Sequence, residues 1–257
     1  RRGLSKRLGR IAYPLSLAVY CSSWTFFGGV GTAATRGWDY LAIYLGPALV
    51  FLLAPKFLAR LVRLAREEGS SSISDFISAR YGRSRGTAAI VAGTALLASV
   101  PYIALQLRSV TLSFGAIAGV GSSAEVGTFV ALLLAVFAIL FGARRYEVAG
   151  RNPGVVAAIA AESLIKLLCF VVLGVVTLAV LVDVPAATLA APLARLRSGF
   201  TWGALTSDFW VRTLLSALAI LCLPRQFYVG VIEARGPDAV ARARWPFIAY
   251  MVVISLL

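Results

Sequence analysis

Residues 20–38 read Tyr-Cys-Ser-Ser-Trp-Thr-Phe-Phe-Gly-Gly-Val-Gly-Thr-Ala-Ala-Thr-Arg-Gly-Trp, a polar and glycine-rich sequence inside an apolar segment. Free backbone and hydroxyl groups at bilayer depth are tolerated only where they face protein or a water-filled cavity. A helix that loosens at glycines near the midplane can offer carbonyl and hydroxyl oxygens to an ion or a solute. These residues therefore predict a helix around which a binding site in the membrane is organised.

The composition places the chain in the membrane class. Of its 257 residues, 60% are hydrophobic and 14% are charged, whereas soluble domains have about 25% charged residues. The net charge of +14 is typical of many nucleic-acid-binding proteins, but the basic residues lie between apolar segments and form no continuous basic face. A positive-inside topology explains the charge better. We therefore expect no nucleic-acid partner.

The chain contains no histidine. This excludes a phosphoacceptor histidine, a zinc site with histidine ligands and a histidine-based triad within these residues. No second carboxylate lies near Glu162 of the fifth span to suggest general acid–base chemistry, so we assign no catalytic residue.

Seven apolar segments predict a single all-α integral membrane domain over residues 1–257. Apart from the last, each can cross a hydrocarbon core of about 30 Å, and the fourth is near the lower limit. We expect the last segment to continue past residue 257. The predicted spans are 11–32, 38–64, 86–118, 124–141, 153–182, 209–233 and 244–257.

Basic residues alternate between the two sides of the predicted spans. Most of the 25 Lys and Arg lie in the N-terminal head or in the connections after the second, fourth and sixth spans. Lys and Arg are enriched in cytoplasmic loops, so the pattern predicts a cytoplasmic head. The other connections hold only Arg36, Arg195, Arg197 and Arg212.

Small and hydroxylated residues dominate the first span. Ser22 and Ser23 precede Trp24, and three glycines follow them, Gly28, Gly29 and Gly31. Close helix packing by small residues four apart is one interpretation. A cavity-lining segment in which the helix is broken at these glycines is the other.

Two later spans carry polar side chains at helical spacing. Tyr102 and Gln106 are four residues apart and share a helix face, where they could bond a neighbouring helix or a solute. Glu162 and Lys166 are also four apart, which favours an ion pair. That pair is either a neutralised packing contact or a coupling element.

The sixth span is interrupted by Pro224, which removes a helix hydrogen bond and clashes with the preceding turn. Gln226 follows and needs a polar setting. The proline either breaks the helix within the membrane or ends it near the cytoplasm.

Five motifs in this order resemble the sodium:solute symporter superfamily, and most of all its branch fused to sensor histidine kinases, the CbrA type. The motifs are Tyr-Cys-Ser-Ser-Trp-Thr-Phe-Phe-Gly (20–28), Tyr-Leu-Gly-Pro (44–47), Ser-Asp-Phe-Ile-Ser-Ala-Arg-Tyr-Gly (74–82), Pro-Tyr-Ile-Ala-Leu-Gln-Leu (101–107) and Leu-Pro-Arg-Gln-Phe (223–227). The resemblance implies a core of ten helices in two inverted five-helix repeats. Its first and sixth helices are interrupted and face each other around the solute.

The resemblance also implies site residues. The backbone carbonyls of Ala18 and Cys21 are similar to the family's sodium ligands, and Ser22, Ser23 and Trp24 would flank the solute. Sodium is the only cofactor implied, and its hydroxyl ligands from the eighth core helix would lie beyond residue 257. Together with the polar side chains above, the candidate solute-binding residues are Ser22, Ser23, Trp24, Tyr102, Gln106 and Gln226.

The resemblance favours the transmembrane module of a bacterial sensor histidine kinase in the cytoplasmic membrane. Its expected partners are a small nutrient solute, the lipid bilayer and a cytoplasmic kinase region of the same protein. An autonomous sodium-coupled symporter without a kinase is the alternative. A purely structural membrane anchor is a third interpretation, which the polar residues at depth disfavour.

Overall fold

The computed structural model describes residues 11–119, 124–137, 139–140 and 153–257, and within these ranges the chain is helical without any β-strand. The predicted all-α fold is confirmed. The basic head and the basic connection after the fourth span lie outside the described residues. The helices are α1 (Ile11–Tyr20), α2 (Val30–Arg36), α3 (Ala42–Leu53), α4 (Pro55–Glu67), α5 (Ile73–Arg80), α6 (Arg85–Ala118), α7 (Ala124–Phe137), α8 (Pro153–Val182), α9 (Ala186–Gly199), α10 (Ser207–Cys222), α11 (Pro224–Phe227) and α12 (Pro237–Leu256).

Three of these helices, α6, α8 and α12, are long and apolar enough to cross a membrane by themselves. Two bent helix pairs pass the same test together, so the described residues supply up to five spans. The seven spans of the sequence remain a prediction. The fourth, 124–141, is α-helical over Ala124–Phe137 and π-helical at residues 139–140. The helix α12 begins seven residues before the predicted seventh span.

The first predicted span is interrupted at Cys21 and Ser22, which are not helical. Cys21 has φ −75° and ψ 108°, an extended conformation, and its N–H donates to the carbonyl of Ala18 at 2.9 Å. The sequence predicted the break at the glycines, which are helical in the structure. Gly28 and Gly29 lie in a π-helical turn, Thr25–Gly29, and Gly31 lies in α2. The wide turn accommodates the glycines while the chain stays helical.

The second predicted span, 38–64, bends by 79° between Leu53 and Pro55. Pro55 begins α4, where its missing N–H costs no helix hydrogen bond. On α4, Leu58, Val62 and Ala65 are buried on one face. The opposite face carries charged residues, so α4 is amphipathic. The bend separates this amphipathic helix from the apolar helix α3.

The sixth predicted span breaks at its proline. Leu223 has φ −67° and ψ 128°, because a residue that precedes proline avoids the helical conformation. The helices on either side, Ser207–Cys222 and Pro224–Ile232, are bent by 57°.

The two interrupted segments contact each other in the core. The Tyr13 hydroxyl of α1 donates to the carbonyl of Gly230, in the turn after α11, at 2.7 Å. Phe247 and Met251 of α12 are fully buried beside them, as is Val62 of α4. By contrast, the most apolar stretches of α6 and α8 are not buried within the chain.

α3 and α10 pack closely because Gly46 has no side chain. A Cβ at Gly46 would lie 2.5 Å from the carbonyl oxygen of Thr213 and 2.6 Å from the nitrogen of Ala217. A hydrogen bond also joins the two helices: the Ser216 hydroxyl of α10 donates to the carbonyl of Ala42 in α3 at 2.7 Å. Small residues that let helix backbones approach are a common basis of helix association in membranes.

We therefore expect Gly46→Ala to lower the free energy of unfolding by about 1–3 kcal/mol, because the added methyl group overpacks the α3–α10 contact. Gly31→Ala is the matched control, since no atom lies within 4 Å of a Cβ at that position. Thermal unfolding of both variants in detergent measures the difference. Equal unfolding temperatures for the two variants would show that the contact is not tight.

Candidate functional site

A cavity of about 570 Å³ lies between the interrupted first segment, α3, α6 and the break after α10. Its volume falls in the range of small-molecule sites, about 300–1,000 Å³. Four of the six predicted solute-binding residues line it, namely Ser22, Trp24, Tyr102 and Gln226. Further polar lining comes from Tyr20, Thr25, Thr32, Arg36, Asp39, Tyr44, Arg212, Ser216 and Arg225.

The other two predicted residues, Ser23 and Gln106, bind each other beside the cavity. The Gln106 Oε1 accepts from the Ser23 backbone N–H at 3.2 Å and from the Ser23 hydroxyl. The Gln106 Nε2 donates to the Ser22 hydroxyl at 3.3 Å. Gln106 could bond either a neighbouring helix or a solute, and in the structure it bonds the neighbouring segment. Its amide joins α6 to the residues at the break.

Tyr102 contacts the second broken segment. Arg225 Nη2 donates to the Tyr102 hydroxyl at 2.6 Å, and the guanidinium lies 5.1 Å from the centre of the tyrosine ring. A hydrogen bond and a cation–π contact therefore connect α6 to α11 at the cavity wall.

Gln226 lines the cavity and carries an unpaired donor. Its side chain is 2% exposed, and its Nε2 has no hydrogen-bond partner among the described residues. Leaving a buried donor unpaired costs about 1–3 kcal/mol.

An ion pair lies in the cavity lining. Arg212 Nη1 of α10 lies 2.8 Å from Asp39 Oδ2, in the turn between α2 and α3. Sequence reasoning used Arg212 only for topology and did not select Asp39. The available signal was the position of Arg212 inside an apolar segment, where an arginine needs a partner.

The predicted Glu162–Lys166 pair forms in α8, with 3.1 Å between Lys166 Nζ and Glu162 Oε1. Lys166 also donates to the carbonyl of Cys21 at 2.7 Å. Of the two carbonyls predicted as sodium ligands, that of Ala18 accepts the Cys21 N–H and that of Cys21 accepts the lysine ammonium.

The glycines of the first segment have different surroundings. A Cβ on Gly28 would overlap the Trp24 indole, and one on Gly29 would lie 3.0 Å from the Tyr44 hydroxyl. A Cβ on Gly31 would meet nothing within 4 Å. Gly28 therefore leaves room for the indole that lines the cavity.

Two interrupted helices beside a solute-sized cavity define this chain as a multi-pass membrane helix bundle of the transporter type. The family model described as "Sodium:solute symporter family" matches residues 5–142, more than half of the chain. The chain therefore belongs to the sodium:solute symporter family. No curated protein and no solved structure gives a significant match.

Membership supports a solute-transport module in the membrane, with a small solute and lipid as its partners. It also implies sodium as the family's coupling ion.

We expect the Asp39–Arg212 pair to contribute about 0.5–1 kcal/mol of coupling, a modest value because the arginine side chain is 41% exposed. Thermal unfolding of Asp39→Asn, Arg212→Gln and the double variant measures this coupling.

The Glu68–Arg83 pair is the control, since its arginine is 71% exposed and the two charged atoms are 3.7 Å apart. Its coupling should be smaller. A larger coupling energy in the Glu68–Arg83 pair would contradict the contribution expected of the Asp39–Arg212 pair.

Proposed function

We propose that this chain binds a small nutrient solute in the 570 Å³ cavity and moves it by alternating access. The observation that carries the proposal is the buried, unpaired Nε2 of Gln226, a residue that lines that cavity. Ser22 and Trp24 contribute a hydroxyl and an aromatic ring from the opposite broken segment. The solute would thus lie between the two interrupted helices.

Alternating access requires the solute to bind the outward-open and inward-open forms with different affinity. Polar links that join separate helices across the cavity are suited to this. Asp39–Arg212 connects the α2–α3 turn to α10, and Tyr102–Arg225 connects α6 to α11. A solute that displaces either contact would bias one form over the other.

The charges that line the cavity favour a solute with an anionic group. The lining includes three arginines, Arg36, Arg212 and Arg225, and one carboxylate, that of Asp39. Arginine recognises carboxylates through paired hydrogen bonds. We expect a carboxylate or an amino acid, rather than a neutral sugar, to bind.

We further propose that the module belongs to a bacterial sensor histidine kinase, with its N-terminal head on the cytoplasmic side of the inner membrane. The five ordered motifs and the alternation of basic residues support this proposal. The alternative is an autonomous sodium-coupled symporter. The coding sequence after Leu257 distinguishes them: a phosphoacceptor helix and an ATP-binding domain support the kinase, and a stop after the remaining core helices supports the symporter.

Uptake of radiolabelled solutes into vesicles that contain the full-length protein tests transport. Amino acids, short carboxylates and sugars form the panel, and we expect uptake of a member with a carboxylate. Absence of uptake, with signalling retained, would contradict the transport half of the proposal and leave a sensor.

Gln226→Leu should weaken solute binding at least tenfold and leave the unfolding temperature unchanged or higher. The variant removes a donor that has no partner among the described residues, so no hydrogen bond of that part of the chain is lost. Isothermal titration with the solute identified by uptake, and thermal unfolding without it, measure the two effects.

Ser22→Ala and Trp24→Ala should also weaken binding, whereas Ser70→Ala and Ser71→Ala, in the connection between α4 and α5, should not. Equal losses at all four positions in correctly inserted protein would refute the site.

A further inference from the structure

The interruption of the first segment frees one carbonyl for a cation. The N–H of Thr25, four residues after Cys21, donates to the carbonyl of Ser22 at 3.0 Å. The carbonyl of Cys21 instead points to another helix. An unwound carbonyl of this kind is where transporters with broken helices coordinate a cation.

The cation that this carbonyl meets is part of the chain. Lys166 Nζ lies 2.7 Å from the Cys21 oxygen, although the two residues are 145 positions apart. The same ammonium lies 3.1 Å from Glu162, which holds it from its own helix. The lysine side chain is 25% exposed, so most of it is removed from solvent.

We propose that the Lys166 ammonium occupies the cation position at the Cys21 carbonyl, so that this position does not take up sodium. The residues present therefore do not fit the coupling ion that the family implies. Two positive charges within a few ångströms repel each other strongly where the dielectric constant is low. A sodium ion could bind at Cys21 only after the ammonium had moved away.

The arrangement has a functional consequence, which rests on the proposed transport. A sodium ion that binds and leaves can couple its gradient to the solute, because its binding depends on concentration on each side. A tethered ammonium has no such dependence. Solute binding should then be independent of sodium.

Glu162 holds Lys166 by an ion pair but does not itself occupy the position at the Cys21 carbonyl. Its side chain is 60% exposed and lies one turn before Lys166 on the same helix. It therefore acts as a positioning residue that holds the ammonium toward Cys21. Removing its charge should leave the contact weaker but present.

The test uses sodium ion alone, so its outcome does not depend on the solute. The full-length protein is purified in detergent, and its thermal unfolding is compared in NaCl and KCl at equal ionic strength. Binding of radioactive sodium ion is measured on the same samples. We expect no difference between the salts and no saturable sodium binding for the unchanged protein.

Lys166→Ala removes the ammonium and opens the Cys21 carbonyl to solvent ions. It should unfold at a lower temperature in KCl, and NaCl should restore about 2–4 °C. Lys56→Ala is the control, because it removes a lysine that is exposed on α4. That variant should respond equally to the two salts.

Saturable sodium binding by the unchanged protein would overturn the proposal, even if Lys166→Ala fails to fold. A folded Lys166→Ala protein that shows no preference for sodium would also overturn it, because the position would then not be a cation site. Failure of solute uptake would contradict the proposed transport and would leave these ion measurements unaffected.

Discussion

The structure depends on one constraint, namely that backbone groups released by a broken helix inside a membrane must find partners within the protein. At Cys21 and Ser22 the first segment leaves the helical conformation, and two distant side chains take over the bonding. Lys166 of α8 donates to the Cys21 carbonyl, and Gln106 of α6 accepts from the N–H of Ser23. The break is therefore tied to two of the three single helices long enough to cross a membrane in the described part of the chain. Without those partners the interruption would leave backbone polar groups unpaired, which costs free energy.

The second break, before Pro224, contributes to the same cavity as the first. It bends the sixth segment by 57° and places Gln226 at the wall of the cavity that Ser22 and Trp24 also line. The carbonyl of Gly230 accepts from Tyr13 and joins the two segments on the other side. Close packing at Gly46 brings α3 to α10, which carries Arg212 into the same lining. The cavity and the unpaired donor of Gln226 therefore both depend on the two interrupted helices.

Membership of the sodium:solute symporter family and the chemistry of this chain agree on the solute side of the site and differ on the ion side. Cavity, broken helices and polar lining fit the family's transport of small solutes. The lysine ammonium at the Cys21 carbonyl places a tethered positive charge where the motif resemblance predicts a sodium ion. A module with a built-in cation would respond to solute without a sodium gradient, a property suited to a sensor that reports nutrient supply.

Local sequence was sufficient for the properties that depend on neighbouring residues. Composition and apolar length determined the membrane class and the all-helical fold, because burial in lipid selects long apolar helices whatever their partners. Pro224 predicted a break, since proline removes a helix hydrogen bond and clashes with the preceding turn, and a spacing of four residues was enough to pair Glu162 with Lys166. The position of the first break was not accessible in this way: the glycines suggested residues 28–31, and the interruption lies at Cys21 and Ser22. Only tertiary structure decided that point, and with it the contacts of Lys166 with Cys21 and of Asp39 with Arg212, because these join residues 145 and 173 positions apart. Which helices meet depends on how the whole bundle packs, and no local pattern encodes that.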